Sequence, residues 1–340
     1  MKSLQLSALA TVGILAIALT GCASGGETNS SSTQSDGAIE KSESDSAKQL
    51  RIAFVPGIAS DPFFKAMEIE AKATAEELNV DLLWQGASDE YSPEAQIPFV
   101  DAALADDIDG LILVPTDADA LQPAVDRAAE MGIPVVTVDT TVNNRETLIS
   151  HITGDNRDGG QKAAEEMDTQ TGGSGKVLII SASPTNTTGT QRVEGFLETL
   201  ESKYPGLEAL DVQYAYSQPS EATTILSTTL LEYPDLAGVF AVDGTSCTGA
   251  VAALYGVAED QTPALICYDA YSTQVEELEN GSVSALVAQQ PAEEARLALE
   301  FLVAELRGDD SVTIESEVVI PNQIMNRNNL STTRQYQYAE

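Results

Sequence analysis

The sequence predicts an α/β protein built from two doubly wound parallel-sheet lobes joined by a hinge, and three observations predict it. Short runs of β-branched and aliphatic residues end at positions 55, 84, 114 and 138, so they recur every 24 to 30 residues, the length of a βα unit. The runs are almost continuously apolar rather than alternating, as expected for parallel strands buried on both faces. A second series of the same kind follows the first within one chain of 340 residues, long enough for roughly two domains. A content of 43% hydrophobic and 21% charged residues excludes global disorder.

The first 22 residues read as an address. Lys2 is their only charged residue and the stretch Leu4 to Leu19 is apolar, the pattern of a secretory leader and too short for a comfortable membrane span. Leu19-Thr20-Gly21-Cys22 resembles the bacterial lipobox, in which the leader is cleaved before a cysteine that receives lipid. Residues 23–48 are rich in Ser, Gly and acid with almost nothing to bury, and read as a flexible tether. The expected organisation is a signal peptide over 1–22, a tether over 23–48, a first lobe over 49–153 plus 290–317, and a second lobe over 154–289 plus 318–335.

In the first lobe the expected strands are Leu50-Arg51-Ile52-Ala53-Phe54-Val55, Val80-Asp81-Leu82-Leu83-Trp84, Gly110-Leu111-Ile112-Leu113-Val114 and Pro134-Val135-Val136-Thr137-Val138. Good helix formers lie between them, as in the stretch Ala66 to Leu78. The run Leu148-Ile149-Ser150-His151-Ile152 reads as an edge strand at the crossing to the second lobe, with a new helix starting near Asn156. The second series comprises Lys176 to Ile180, Val212 to Ala215, Gly238 to Val242, Ala264 to Tyr268 and Ala285 to Ala288. Gly172-Gly173-Ser174-Gly175-Lys176 fails as a phosphate loop, because Val177 replaces the required hydroxyl residue and a strand follows where a helix is needed.

Composition narrows the function. The chain carries 17 Lys and Arg against 53 Asp and Glu, a net charge of −36, which argues against nucleic-acid binding. Its single histidine, His151, rules out zinc sites built from two or three imidazoles and would have to serve any Ser-His-Asp or Cys-His device. The leader adds one positive charge and the tether holds five acids and two bases, so 48 acids and 14 bases remain on the body. The acidity is thus a property of the folded part. No metal or cofactor is expected.

In open parallel sheets ligands bind beyond the carboxyl ends of the strands. There the first lobe offers Ser60, Asp61, Thr116, Asp117, Asp139 and Thr140, and the second Ser183, Thr185, Gln218, Asp243, Asp269 and Gln289. Facing rims of this kind would form a cleft for a small polar molecule.

Several segments in chain order resemble the periplasmic sugar-binding family that includes ribose-binding protein, the type I solute receptors of bacterial ABC importers. They are Asp61-Pro62-Phe63-Phe64, Asp107 to Asp117, Val135 to Asp139, Gly154-Asp155-Asn156 with Gly159-Gly160, Arg192 to Phe196, Val239 to Asp243, Tyr268-Asp269 and Ala288-Gln289. The resemblance implies a monosaccharide held between aromatic rings by side chains of both lobes, with hinge closure read by a permease and its ATPase. It assigns Phe63 and Phe64 to the wall, Asp61 and Asp243 to positions where ribose receptors carry asparagine, and Asp139, Asp269 and Gln289 to hydrogen bonding. Thr140 and Thr190 stand where those receptors place arginines. With no matched arginine against Asp61, Asp139, Asp243 and Asp269, the expected ligand is donor-rich, a polyol or a monosaccharide other than ribose, or a molecule that carries an amine.

Other roles remain open for some of these residues. One of Phe63 and Phe64 could serve packing, Asp139 and Asp269 could cap helices, and Trp84 divides evenly between cleft wall and core. Tyr216 is a possible second wall residue, and His151 reads as structural. Cys247 and Cys267 lie near adjacent strands outside the cytoplasm, which invites a disulfide, but Cys267 occupies a core strand position and favours two buried thiols. The functional expectation is a lipid-anchored, monomeric, non-enzymatic receptor for a sugar or polyol. Its competitors are a receptor of the same fold serving a sensor kinase or chemoreceptor, and a glycosidase using cleft carboxylates.

Overall fold

The computed structural model describes residues 49–339; the expected signal peptide, lipid-bearing Cys22 and tether lie outside the described residues. The chain begins with β1 (Leu50–Val55), α1 (Pro62–Glu77), β2 (Val80–Trp84), α2 (Pro93–Ala105), β3 (Gly110–Leu113), α3 (Gln122–Glu130), β4 (Val135–Val138) and β5 (Leu148–Gly154). It continues with α4 (Asn156–Thr171), β6 (Gly175–Ser181), α5 (Thr187–Lys203), β7 (Leu207–Ala209), β8 (Gln213–Tyr214), α6 (Pro219–Glu232), β9 (Gly238–Ala241), α7 (Gly244–Leu254), β10 (Ala264–Tyr268), α8 (Ser272–Asn280) and β11 (Ala285–Ala288). Then come α9 (Pro291–Arg307), β12 (Glu317–Ile320), β13 (Gln323–Asn326) and α10 (Leu330–Thr333).

Two sheets result. The first has the order β12-β5-β4-β3-β1-β2 with every pair parallel. The second runs β13-β11-β10-β9-β6-β7, with β8 also beside β6, and only β13 is antiparallel. Strands with burial patterns such as that of β4, buried throughout, explain why the apolar runs do not alternate. The expected α/β architecture of two parallel-sheet lobes is the one observed.

The chain passes between the sheets after Gly154, at Gln289-Gln290 and at Pro321-Asn322. Two expectations about these crossings need correction. β5 is not an edge strand, because β12 pairs with it from Glu317↔His151 to Ile320↔Gly154. For the same reason residues 318–320 belong to the first sheet, not the second lobe. A four-residue run carries no local signal of which sheet it joins. In the second series, only Gln213–Tyr214 of the expected 212–215 strand pairs, and the short β7 was not anticipated.

Close helix packing positions the cleft residues. A Cβ on Gly160 of α4 would lie 2.0 Å from the Arg192 carbonyl oxygen, and one on Gly195 of α5 would lie 2.1 Å from that of Arg157. Glycines at these two points let α4 and α5 touch backbone to backbone. Arg192, on α5, then lies with its guanidinium 3.8 Å from the centre of the Tyr268 ring.

Cys247 and Cys267 are joined, with S–S 2.07 Å and Cα–Cα 5.5 Å, which corrects the expectation of two free thiols. Both are fully buried, so a core strand position was no argument against a bond. The bridge ties the first turns of α7 to β10, two residues before Asp269. His151 is buried with Nδ1 3.1 Å from Thr137 Oγ1, and burial lowers its pKa to about 4, as befits a structural imidazole.

Candidate ligand-binding site

Four helix starts bring polar groups to one place. Asp61 caps α1 by accepting the Phe63 N–H at 2.8 Å, with Pro62 at the first helical position. Asn186 caps α5 through Gly189 N–H at 2.7 Å, and Asp243 caps α7 through Ser246 N–H at 2.8 Å. Tyr271 stands at the start of α8, its N–H donated to Gln274. Asp139 and Asp269 follow β4 and β10, and neither caps a helix; both have left-handed backbones, φ 59° and 76°. In each, the main-chain N–H is donated to the neighbouring strand, to Ile152 at 2.8 Å and to Val287 at 2.9 Å.

These groups line a cavity between the lobes. Its walls include Asp61, Phe63, Phe64, Tyr91 and Asp139 from the first lobe, and Asn186, Arg192, Asp243, Asp269, Tyr271 and Gln289 from the second lobe and its exit. Phe63 and Phe64 meet edge to face at 5.2 Å, and both face the cavity, so neither is only a packing residue. The lobes touch across it. The Tyr271 hydroxyl is donated to Asp61 at 2.8 Å, the Asn186 amide to the Tyr91 hydroxyl at 3.1 Å, and the Thr141 N–H to the Thr187 hydroxyl at 3.3 Å.

The carboxylates differ in their partners. Asp269 accepts from Gly244 N–H at 2.8 Å, Gln289 at 2.7 Å and the Tyr338 hydroxyl at 3.0 Å. Asp243 accepts from Ser246 twice and from Thr245. Asp139 Oδ1 is buried with no hydrogen-bond donor among the described residues, and its nearest cation there is Arg192 Nη2 at 3.8 Å. Arg192 is itself held in place, with Nε on Asn156 (2.8 Å), Nη1 on the Val242 carbonyl (3.1 Å) and Nη2 on Gln289 (2.7 Å).

This pattern sets the protonation. Burial, helped by the charge of Asp269, raises the Asp139 pKa to about 7 although Arg192 opposes it. Burial and the charges of Asp269 and Asp243 likewise raise Asp61 to about 7 against its hydrogen bonds from Phe63 and Tyr271. Asp269 is raised too, again by burial, with Arg192 and the donors from Gln289 and Tyr338 holding it down.

Four expected site residues fall elsewhere. Thr140 is buried and donates to the Pro115 carbonyl at 2.7 Å, so it braces the strand end. Thr190 is exposed and bonded back to the Asn186 carbonyl at 2.9 Å, turned along its own helix. Trp84 packs on Phe54, centroids 4.5 Å apart, as a core residue. Tyr216 is 61% exposed and lines a separate surface depression with Tyr91 and Ser217. The absence of an arginine is also corrected: Arg192 is in the wall, at a position already noted within a matching segment but given no role.

Sequence reasoning missed Tyr91, Asn186, Tyr271 and Tyr338. Tyr338 arrives from the chain end, donating its N–H to the Ala270 carbonyl and placing its ring 5.9 Å from Phe63 and 6.0 Å from Tyr271. No local pattern marks such a residue. Asn186 carried a usable signal, an N-cap residue just beyond the end of β6.

The family profile described as Periplasmic binding protein domain matches residues 52–310. The chain belongs to this family. Among curated relatives of this periplasmic binding protein, the D-ribose/D-allose-binding protein of Pseudomonas aeruginosa is 27% identical over 265 residues, covering 76% of this chain and 82% of its own. The xylitol-binding protein of Mycolicibacterium smegmatis is 24% identical and covers 91% of this chain and 82% of its own. Among solved structures, an ABC transporter solute-binding protein from Agrobacterium vitis bound with α-D-tagatopyranose superposes with TM-score 0.81 at 29% identity, covering 86% of this chain and all of that one. The fold expected from the resemblance is therefore the fold of the binding protein's structural neighbours.

Proposed function

We propose that this protein is an extracytoplasmic receptor, anchored through lipid on Cys22, that binds a monosaccharide or polyol between its lobes and delivers it to an ABC permease without altering it. The observation that carries this reading is the buried, unpartnered Oδ1 of Asp139 in a cavity walled by Phe63, Phe64 and Tyr271. Aromatic walls suit the apolar face of a sugar ring, and a carboxylate is the acceptor that a ligand hydroxyl would satisfy, in a charge-assisted bond of about 1.5–3 kcal/mol. The sugar and polyol ligands named for the relatives support the same class.

The proposed mechanism is hinge closure. A ligand bonded to Asp139 on one side and to the Asp269 and Gln289 side on the other joins the lobes and stabilises the closed form, whose shape the permease reads. A thermal-shift screen against pentoses, hexoses and polyols tests it, with recovery of unchanged ligand after long incubation. A rise in Tm with one or a few of these ligands is expected; no rise with any of them, or a converted ligand, contradicts the proposal.

A further inference from the structure

Resting on that reading of the cleft, we infer that the ligand carries one protonated amine, as an amino sugar or amino polyol does, and that the ammonium sits against Asp139. The first support is the charge of the wall. Among the described residues, those lining the cavity include four carboxylates, Asp61, Asp139, Asp243 and Asp269, and one cation, Arg192, with no lysine or histidine. Enclosing this set against solvent pushes Asp61, Asp139 and Asp269 toward their neutral forms, and a ligand cation lets the acid beside it ionise where a neutral molecule does not.

The second support is independent of the count. The wall carboxylates other than Asp139 already have hydrogen-bond donors. Asp243 is held by Ser246 and Thr245, Asp269 by Gly244, Gln289 and Tyr338, and Asp61 by Phe63 and Tyr271. Asp139 is 7% exposed, faces the cavity, and has an oxygen with no donor. Arg192, held by Asn156, Val242 and Gln289, comes no nearer to it than 3.8 Å, beyond hydrogen-bond reach.

Behind Asp139, Glu294 of α9 is fully buried with neither oxygen bonded. Burial and the field of Asp139 push its pKa well above the carboxylate range, so it relieves itself by keeping its proton. Asp139 opens on the ligand, and an ammonium there supplies both the missing donors and the missing charge. A hydroxyl supplies only the donor.

Matched pairs test this by titration calorimetry at pH 7: xylitol against 1-amino-1-deoxyxylitol, D-glucose against D-glucosamine, and D-galactose against D-galactosamine. In the pair that fits, the amine is expected to bind at least tenfold more tightly, and Asp139→Asn to lower that ratio toward one. Equal or tighter binding of the neutral member overturns the inference and leaves the sugar receptor standing. In that case the heat should differ between phosphate and Tris buffers, because a proton on Asp139 would replace the ammonium. If no member of any pair binds, the sugar reading falls together with the amine, and the wild-type titrations decide this whether or not the variant folds.

Discussion

Asp139 and Asp269 occupy equivalent places in the two lobes and do different work. Each follows the last residue of a central parallel strand, each has a left-handed backbone, and each donates its N–H to the next strand of its sheet. The left-handed region costs a non-glycine residue about 1–2 kcal/mol, and Asp is among the residues that tolerate it. Around Asp269 the second lobe has gathered Gly244, Gln289 and Tyr338; around Asp139 the first lobe leaves Oδ1 bare. The same backbone device thus presents one carboxylate that organises the cleft and one that waits for a partner.

The largest separation of the two should appear in stability without ligand. Asp269→Ala orphans three buried donors, and at roughly 1 kcal/mol or more for each it should destabilise the apo protein by about 3–4 kcal/mol. Asp139→Ala removes a buried carboxyl with no bonded donor and should cost the apo protein no stability. Urea unfolding of both variants measures the difference. Equal losses would mean that Asp139 is as built-in as Asp269.

The next effect belongs to the second lobe alone. Cys247 and Cys267 are 20 residues apart, and opening a loop of this size costs about 3 kcal/mol in the chain-entropy model. A Cys247→Ala, Cys267→Ala double variant should lose about that much. Because the bridge fixes α7 on β10 beside the Gly244 to Asp269 bond, ligand affinity should also fall, while Asp139→Ala with the bridge intact should unfold like wild type.

A further effect is on pH. Asp61 and Asp139 have folded pKa values raised to about 7, so between about pH 4 and 7 the folded chain holds more protons than the unfolded one. Stability contributed by this excess is present at the low end and lost as pH rises to 7. His151, lowered to about 4, acts in the opposite sense up to pH 6.5, but the raised acids outnumber it. Apo Tm should therefore fall from pH 5 to pH 7, and Asp139→Asn should flatten the slope.

What the sequence revealed follows from how local each signal is. β1, β3 and β4 were legible because nearly uniform burial leaves continuous apolar runs, and β2, a half-exposed edge strand, because helices that must cross the sheet set the spacing. β12 was not, because four residues cannot state which sheet they join. At the site, Asp139 and Asp269 were legible from strand ends, whereas Thr190 misled because its hydroxyl turns back to Asn186. Tyr338 was hidden because it reaches Asp269 from a remote part of the chain.

The most direct test of the central claim, that Asp139 is the open acceptor of a sugar-binding cleft, is the ligand-induced rise in Tm measured on wild type and Asp139→Ala with the best ligand of the panel. The account predicts a clear rise in wild type and none in the variant, with the two apo proteins melting within a few degrees of each other. An undiminished rise in the variant would contradict it.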